Sequence, residues 1–213
     1  MNPEQIAKYQ SAYHSYMTDI KHRIELADRV YIHGLQGKSF TGHIDTDLDL
    51  LYLQVRKVCE TIMFSCVAAN QASGKELNKK LTRTAYKPGE ISRLLKQANG
   101  TLFPKAIKRK VVDGVHHIEN HEDLESILDL VELEEVWNKS GDFLHSKRVN
   151  KASVEARKSA IKVASDFLIK TKNLLNEHWI VIDESYQFGV IMNRAQTNDV
   201  QVMLMKAVEE PET

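Results

Sequence analysis

The densest grouping of side chains able to do chemistry is Trp137-Asn138-Lys139-Ser140-Gly141-Asp142-Phe143-Leu144-His145-Ser146-Lys147-Arg148. It sets a single imidazole beside three basic side chains at the end of a helical run. Imidazole moves protons near pH 7, and Lys139, Lys147 and Arg148 suit a phosphodiester held by charge-assisted hydrogen bonds. The same residues have a plainer use, in which His145 closes a helix C-terminus and its basic neighbours complement the helix dipole. Residue types alone leave both uses open.

A second grouping, His116, His117 and His121 with Glu119 and Glu122, offers zinc-ligand types. In a strand, however, His116 and His117 point to opposite faces, and no metal is assigned there. Cys59 and Cys66 lie seven residues apart in one helical run, about 10 Å by helix rise, which is too far for a disulfide. Each fits a buried small hydrophobe. The chain has no Gly-x-x-x-x-Gly-Lys-Ser/Thr loop and no His-Glu-x-x-His, Cys-x-x-Cys or Gly-x-Ser-x-Gly motif. The enzyme classes built on those motifs lose support, and no cofactor is implied.

Charge gives no global direction, because 29 Lys and Arg balance 29 Asp and Glu over 213 residues. A nucleic acid or an anionic surface would have to be held by a local patch. With 42% hydrophobic and 27% charged residues the composition is that of an ordinary globular chain with a core. No run approaches the roughly 18 apolar residues of a membrane span, and the start, Met1-Asn2-Pro3-Glu4-Gln5, has no basic or apolar leader character. The expectation is a cytoplasmic protein with no membrane partner.

Several elements must position these groups. Asn2 as N-cap, Pro3 at the first position and Gln5 as the reciprocal cap announce a first helix. Its stripe runs Ile6, Tyr9, Tyr13, Met17, Ile20, Ile24 and Ala27. A glycine-bearing loop is expected from Tyr31 to Ile44. A second helix is expected from Thr46, boxed with Asp49, to Gln71. Its two apolar strips, one of them Leu50, Leu53, Phe64 and Val67, make it central. Within it Arg56 and Glu60, four apart and flanked by apolar residues, are expected to form a partly buried structural ion pair.

Shorter helices are expected over Gly74 to Thr84 and Gly89 to Gln97, and an Asp113-Gly114 hairpin over Lys108 to Ile118. A further helical stretch should run from Glu122 to His145, and a long amphipathic helix from Ala152 to Glu177. The period then changes to that of strands at Trp179–Ile182, Phe188–Asn193 and Val200–Lys206. The expected architecture is mainly α, a helical bundle over residues 1–178 with a small hairpin insertion. A C-terminal antiparallel β meander over residues 179–208 would pack on the bundle or at a dimer contact, giving α+β overall.

The central helix with Leu53-Gln-Val-Arg56-Lys-Val-Cys-Glu60, followed by Gly141-Asp-Phe-Leu-His145 before a last long helix, resembles the HEPN superfamily of small helical bundles. More narrowly it resembles bacterial proteins with a Gly-Asp-Phe/Tyr-Leu-His segment. The resemblance covers about Asp47 to Glu177. It implies a four- to five-helix bundle, a homodimer, a link to defence and, in active members, metal-independent RNA cleavage by an Arg, four to six residues, then His. His145 stands at the histidine position, and Lys139 stands six residues upstream where the family has arginine. Lysine lacks the bidentate fork of arginine. Two functions follow: an RNA-binding protein or ribonuclease using His145 with Lys139 and holding phosphate through Lys147 and Arg148, or a non-catalytic homodimeric binding or scaffold protein with a degenerate HEPN-like site.

Overall fold

The computed structural model describes residues 2–73, 87–98, 101–113, 115–121, 123–145 and 154–206. In chain order the elements are α1 (Pro3–Leu35), α2 (Ile44–Gln71), α3 (Pro88–Gln97), β1 (Lys105–Val112), β2 (Val115–Asn120), α4 (Leu130–Leu144), α5 (Val154–Leu175), β3 (Glu177–Val181), β4 (Tyr186–Ile191) and β5 (Gln201–Lys206). The chain is therefore α+β. Among the described residues no helix is long and apolar enough to cross a membrane. The expected helix over Gly74 to Thr84 lies outside the described residues, as does the tail beyond Lys206.

Helix α1 starts as its sequence directs, with Asn2 Oδ1 accepting from Glu4 N at 3.0 Å. Gln5 does not fold back as a reciprocal cap. Its Nε2 donates to Gln71 O at 2.9 Å, which sets the start of α1 beside the end of α2 and makes the pair antiparallel. The helix also runs five residues into the expected loop, because Gly34 is accommodated within it and the turn comes at Gly37, whose φ is +68°. At the start of α2 the expected Thr46–Asp49 box is replaced by Asp47. Its carboxylate accepts from Ser39 Oγ, Phe40 N, Thr41 N and Thr41 Oγ1 at 2.6–2.8 Å. Partial burial pushes the Asp47 carboxyl up, but these four bonds outweigh it and hold the group below the usual carboxylate range.

Helix α2 is central, with Val55, Val58, Cys59, Ile62, Met63 and Cys66 fully buried. Its second apolar strip is only partly covered, since Leu50 and Phe64 are half-buried and Leu53 is exposed. Helix α4 begins at Leu130, later than expected. Asp129 is its cap, accepting from Glu132 N at 2.7 Å.

The hairpin is not a separate excursion from the helical body. Strand β1 pairs with β2 through the Asp113 turn and on its other side with β3, where Lys105 opposes Trp179 and Ala106 opposes His178. Hairpin and meander thus form one antiparallel sheet of order β2-β1-β3-β4-β5. One core cluster includes residues of the helices and of this sheet. Tyr13 of α1 meets Phe188 of β4 at 5.8 Å between ring centroids. Edge strand β5 is gripped by α1, whose Gln10 Nε2 donates to Val202 O at 2.9 Å and whose His14 Nε2 donates to Val200 O at 3.1 Å.

Sequence reading gave no role to His178, which is fully buried where the sheet meets α1. Its Nδ1 donates to Leu175 O at 2.9 Å, so Nε2 accepts from the Tyr13 hydroxyl, also at 2.9 Å. Burial pushes the imidazole pKa down to about 4, and the Leu175 bond opposes this only in part. The folded protein therefore keeps His178 neutral where an unfolded chain, with its ordinary value of 6.5, would protonate it. Stability should be complete above about pH 6.5 and decline between there and pH 4, by on the order of 3 kcal/mol for this group. Urea titrations across that range should show the decline in the wild type and a shallower one in His178→Gln. Equal slopes in the two proteins would mean that the imidazole protonates in place.

Candidate functional site

Helix α4 docks on α2 through small and flat groups. Its buried face carries Leu133, Val136, Ser140, Gly141 and Phe143. Ser140, fully buried, returns its hydroxyl to Trp137 O at 2.6 Å. Phe143 stacks on Tyr52 of α2 with centroids 3.8 Å apart and planes within 6°. Tyr52 in turn donates to Ala160 O of α5 at 2.9 Å. The Gly-Asp-Phe segment thereby joins three helices.

Gly141 lies inside α4. A Cβ there would lie 2.5 Å from Arg56 Nη1, so the glycine seats the guanidinium of α2 against the backbone of α4. Arg56 Nε is 3.1 Å from Glu60 Oε1. The guanidinium lies 4.9 Å from the Trp137 ring centroid and donates from Nη1 to Trp137 O at 3.4 Å. Trp137 Nε1 donates to Glu60 Oε1 at 3.4 Å, and Lys57 Nζ to Glu60 Oε2 at 2.9 Å. Burial pushes the Glu60 carboxyl up, but the bonds from Lys57 and Trp137 and the charges of Lys57 and Arg56 hold it below its usual value. Glu60 is thus ionised, and two cations facing one carboxylate leave one net positive charge.

His145 is the C-cap residue of α4, and its backbone N–H donates to Gly141 O at 2.9 Å. The cap is made by the backbone, while the imidazole is exposed and has no hydrogen-bond partner among the described residues. Four residues past Gly141, it lies on the same side of α4 as the Arg56 contact. Lys139 is not brought to it. Six residues upstream it lies well around the helix from His145, exposed and paired with Glu135 at 3.4 Å. Among the described residues, the tertiary structure seats the Arg56 guanidinium against Gly141, one helical turn before His145. A glycine inside a helical pattern was a signal of close approach, but nothing in the sequence named the partner.

Lys147 and Arg148 lie outside the described residues. So do Glu122 and the side chain of His116, whereas His117 is exposed and His121 half-buried. Among the described residues no group of three or more His, Cys, Asp or Glu side chains is placed to hold a metal ion. Cys59 and Cys66 are buried free thiols. Burial pushes both up, Cys66 to about 12, so neither is a thiolate at neutral pH. Compared with protein-family models, curated proteins and solved structures, the chain has no match.

The seating of Arg56 on Gly141 has a sign that can be measured. Alanine in place of a helix-interior glycine should stabilise by up to about 1 kcal/mol, yet in the wild type its Cβ must displace Arg56 Nη1, which donates to Trp137 O. Gly141→Ala should therefore lower stability by about 1 kcal/mol, and in an Arg56→Ala background the same change should raise it. If urea titrations show alanine stabilising both backgrounds equally, the guanidinium simply swings aside.

Proposed function

We propose that this chain is a HEPN-like protein that acts on RNA, cleaving a phosphodiester without a metal at a site built from His145 and Arg56, and that it serves defence. What supports this reading is the exposed imidazole of His145, without a hydrogen-bond partner among the described residues, one helical turn past Gly141, on which the Arg56 guanidinium is seated. Arginine in the neighbouring helix supplies what Lys139 lacks in the linear motif, a planar cation with a fork for phosphate oxygens. Its group with Lys57 and Glu60 retains one positive charge, which favours a dianionic transition state at phosphorus.

In this reading the imidazole takes the proton of the ribose 2′-hydroxyl as that oxygen attacks phosphorus, or gives a proton to the departing 5′-oxygen. The products are a 2′,3′-cyclic phosphate and a free 5′-hydroxyl. One imidazole serves one of the two transfers, and a homodimer that faces two copies of the α4 end toward one another provides the second. Proton transfer of this kind contributes about 10² to 10⁴ in rate.

A second reading, a non-catalytic homodimeric scaffold, is favoured by the way Arg56 already spends Nε on Glu60 and Nη1 on Trp137. Incubating the full chain with a mixed single-stranded RNA pool in EDTA separates the two. The catalytic reading expects cyclic-phosphate ends that disappear in His145→Ala at unchanged melting temperature, and a fall of about tenfold or more in Arg56→Lys, which keeps the charge and loses the fork. Intact RNA with the wild type, or cleavage that survives in His145→Ala, leaves the scaffold reading.

A further inference from the structure

A cleft between the end of α1, the start of α2 and the outer side of α5 has a chemistry unlike that of the His145 site. Its volume is about 570 Å³, within the range of small-molecule pockets. Val30, Leu48 and Leu51 form its floor, each no more than 5% exposed. Leu35, Ile44 and Ile161 form its walls, and Leu35 and Ile44 stand 67% and 57% exposed at its mouth. Large apolar side chains facing water around a concave apolar floor mark a binding surface more often than an accident of composition.

The rim carries Lys38, Lys158 and Lys162, the last two four apart on α5 and so on one side of it. None of the three ammonium groups has a hydrogen-bond or ion-pair partner among the described residues. That separates this cleft from a larger polar one of about 730 Å³ between α1, β1 and α5. There Lys172 is paired with Asp28, Arg109 with Glu177 and Lys110 with Glu119, so three of its five cationic side chains already hold a carboxylate. Two acids line the apolar cleft, and neither is bonded to the lysines. Asp47 is saturated by the loop before α2. Asp166 lies one turn from Lys170, whose pKa is raised first by its bond to Glu132 and further by Asp166.

We infer that this cleft binds a small amphiphile, with its apolar body in the trough and one anionic head, carboxylate or phosphate, among Lys38, Lys158 and Lys162. The inference is independent of the RNA reading. Apolar lining selects the body and excludes a free inorganic anion. Ammonium groups at the mouth, without partners among the described residues, select the sign of the head, and a concave trough of about 570 Å³ suits a single molecule more than a bilayer surface.

Gly34 provides the test. It lies in the wall of the cleft within α1, and a Cβ there would meet nothing within 4 Å. Gly34→Phe therefore starts from an open Cβ position in the wall of the trough, where its ring competes with a bound apolar body, and it removes a poor helix former. Calorimetric titration of the full chain with dodecanoate, dodecyl phosphate, dodecanol and inorganic phosphate, below micellar concentrations, reads the outcome. The wild type should bind one dodecanoate or dodecyl phosphate per chain, bind dodecanol at least tenfold more weakly and show no heat with inorganic phosphate. Gly34→Phe should weaken dodecanoate at least tenfold at an undiminished melting temperature. The exposed double variant Lys158→Glu with Lys162→Glu should weaken dodecanoate but not dodecanol. Dodecanoate bound as tightly by Gly34→Phe, dodecanol bound as tightly as dodecanoate, or uptake only from anionic phospholipid vesicles would overturn the inference.

Discussion

The constraint on which the rest of the structure depends is the enclosure of α2. A helix with so many fully buried positions cannot leave its polar side chains to water, and an unpaired polar group in such a place costs free energy of the order of 1–3 kcal/mol. Helices α1, α4 and α5 each exchange a polar contact with it. Toward α1, Gln54 accepts from Arg23 Nη1 at 3.2 Å, and Thr61 donates to Asp19 at 3.3 Å. Toward α4, Arg56 and Glu60 meet Trp137. Apolar surface drives the helices together, but it is non-directional. These polar contacts decide which turn of one helix faces which turn of the next.

Helix α1 does a second job at the sheet. Its 33 residues outreach the bundle face, and its other side holds the strands. The Tyr13–His178 bond joins it to the start of β3. Further along, Lys21 donates to Met192 O at 3.2 Å and also to Asn198 O, while Gln10 and His14 take up carbonyls at β5. An edge strand with free carbonyls invites pairing with another chain. Side chains from α1 occupy some of those carbonyls, so the helix that anchors the sheet also blunts its edge.

The two candidate sites divide the surface chemistry of the molecule. At the end of α4 a charged group sits at a partly buried helix junction and an imidazole stands free in solvent, an arrangement suited to phosphate and proton transfer. At the far side of the α1–α2 turn an apolar trough is ringed by ammonium groups, an arrangement suited to an acyl-like body with an acidic head. Both arise from how closely the helices approach. At Gly141 the absence of a side chain lets α4 and Arg56 close together. At Gly34 the space beside the helix stays open and becomes part of a cleft.

Some of this was determined by the sequence alone, because the controlling physics is local. Helical stripes, the Asn2–Pro3 start, the Asp-Gly turn and the alternation of β5 all depend on residues a few positions apart, and each element lies close to where those residues put it. The four-residue spacing of Arg56 and Glu60 belongs to the same class. Helix ends were less legible where distant partners compete with local ones, as when Gln5 prefers Gln71 to its own backbone and Asp47 satisfies a loop in place of the Thr46 box. Only the tertiary structure decided that the hairpin joins the meander, because Lys105 and Ala106 meet Trp179 and His178 across more than seventy residues. It also decided that Arg56 of α2 is seated at Gly141, one turn of α4 before His145. Spacing along one helix sets the angle between Lys139 and His145, whereas the nearness of Arg56 depends on how α2 and α4 pack, which no local pattern encodes.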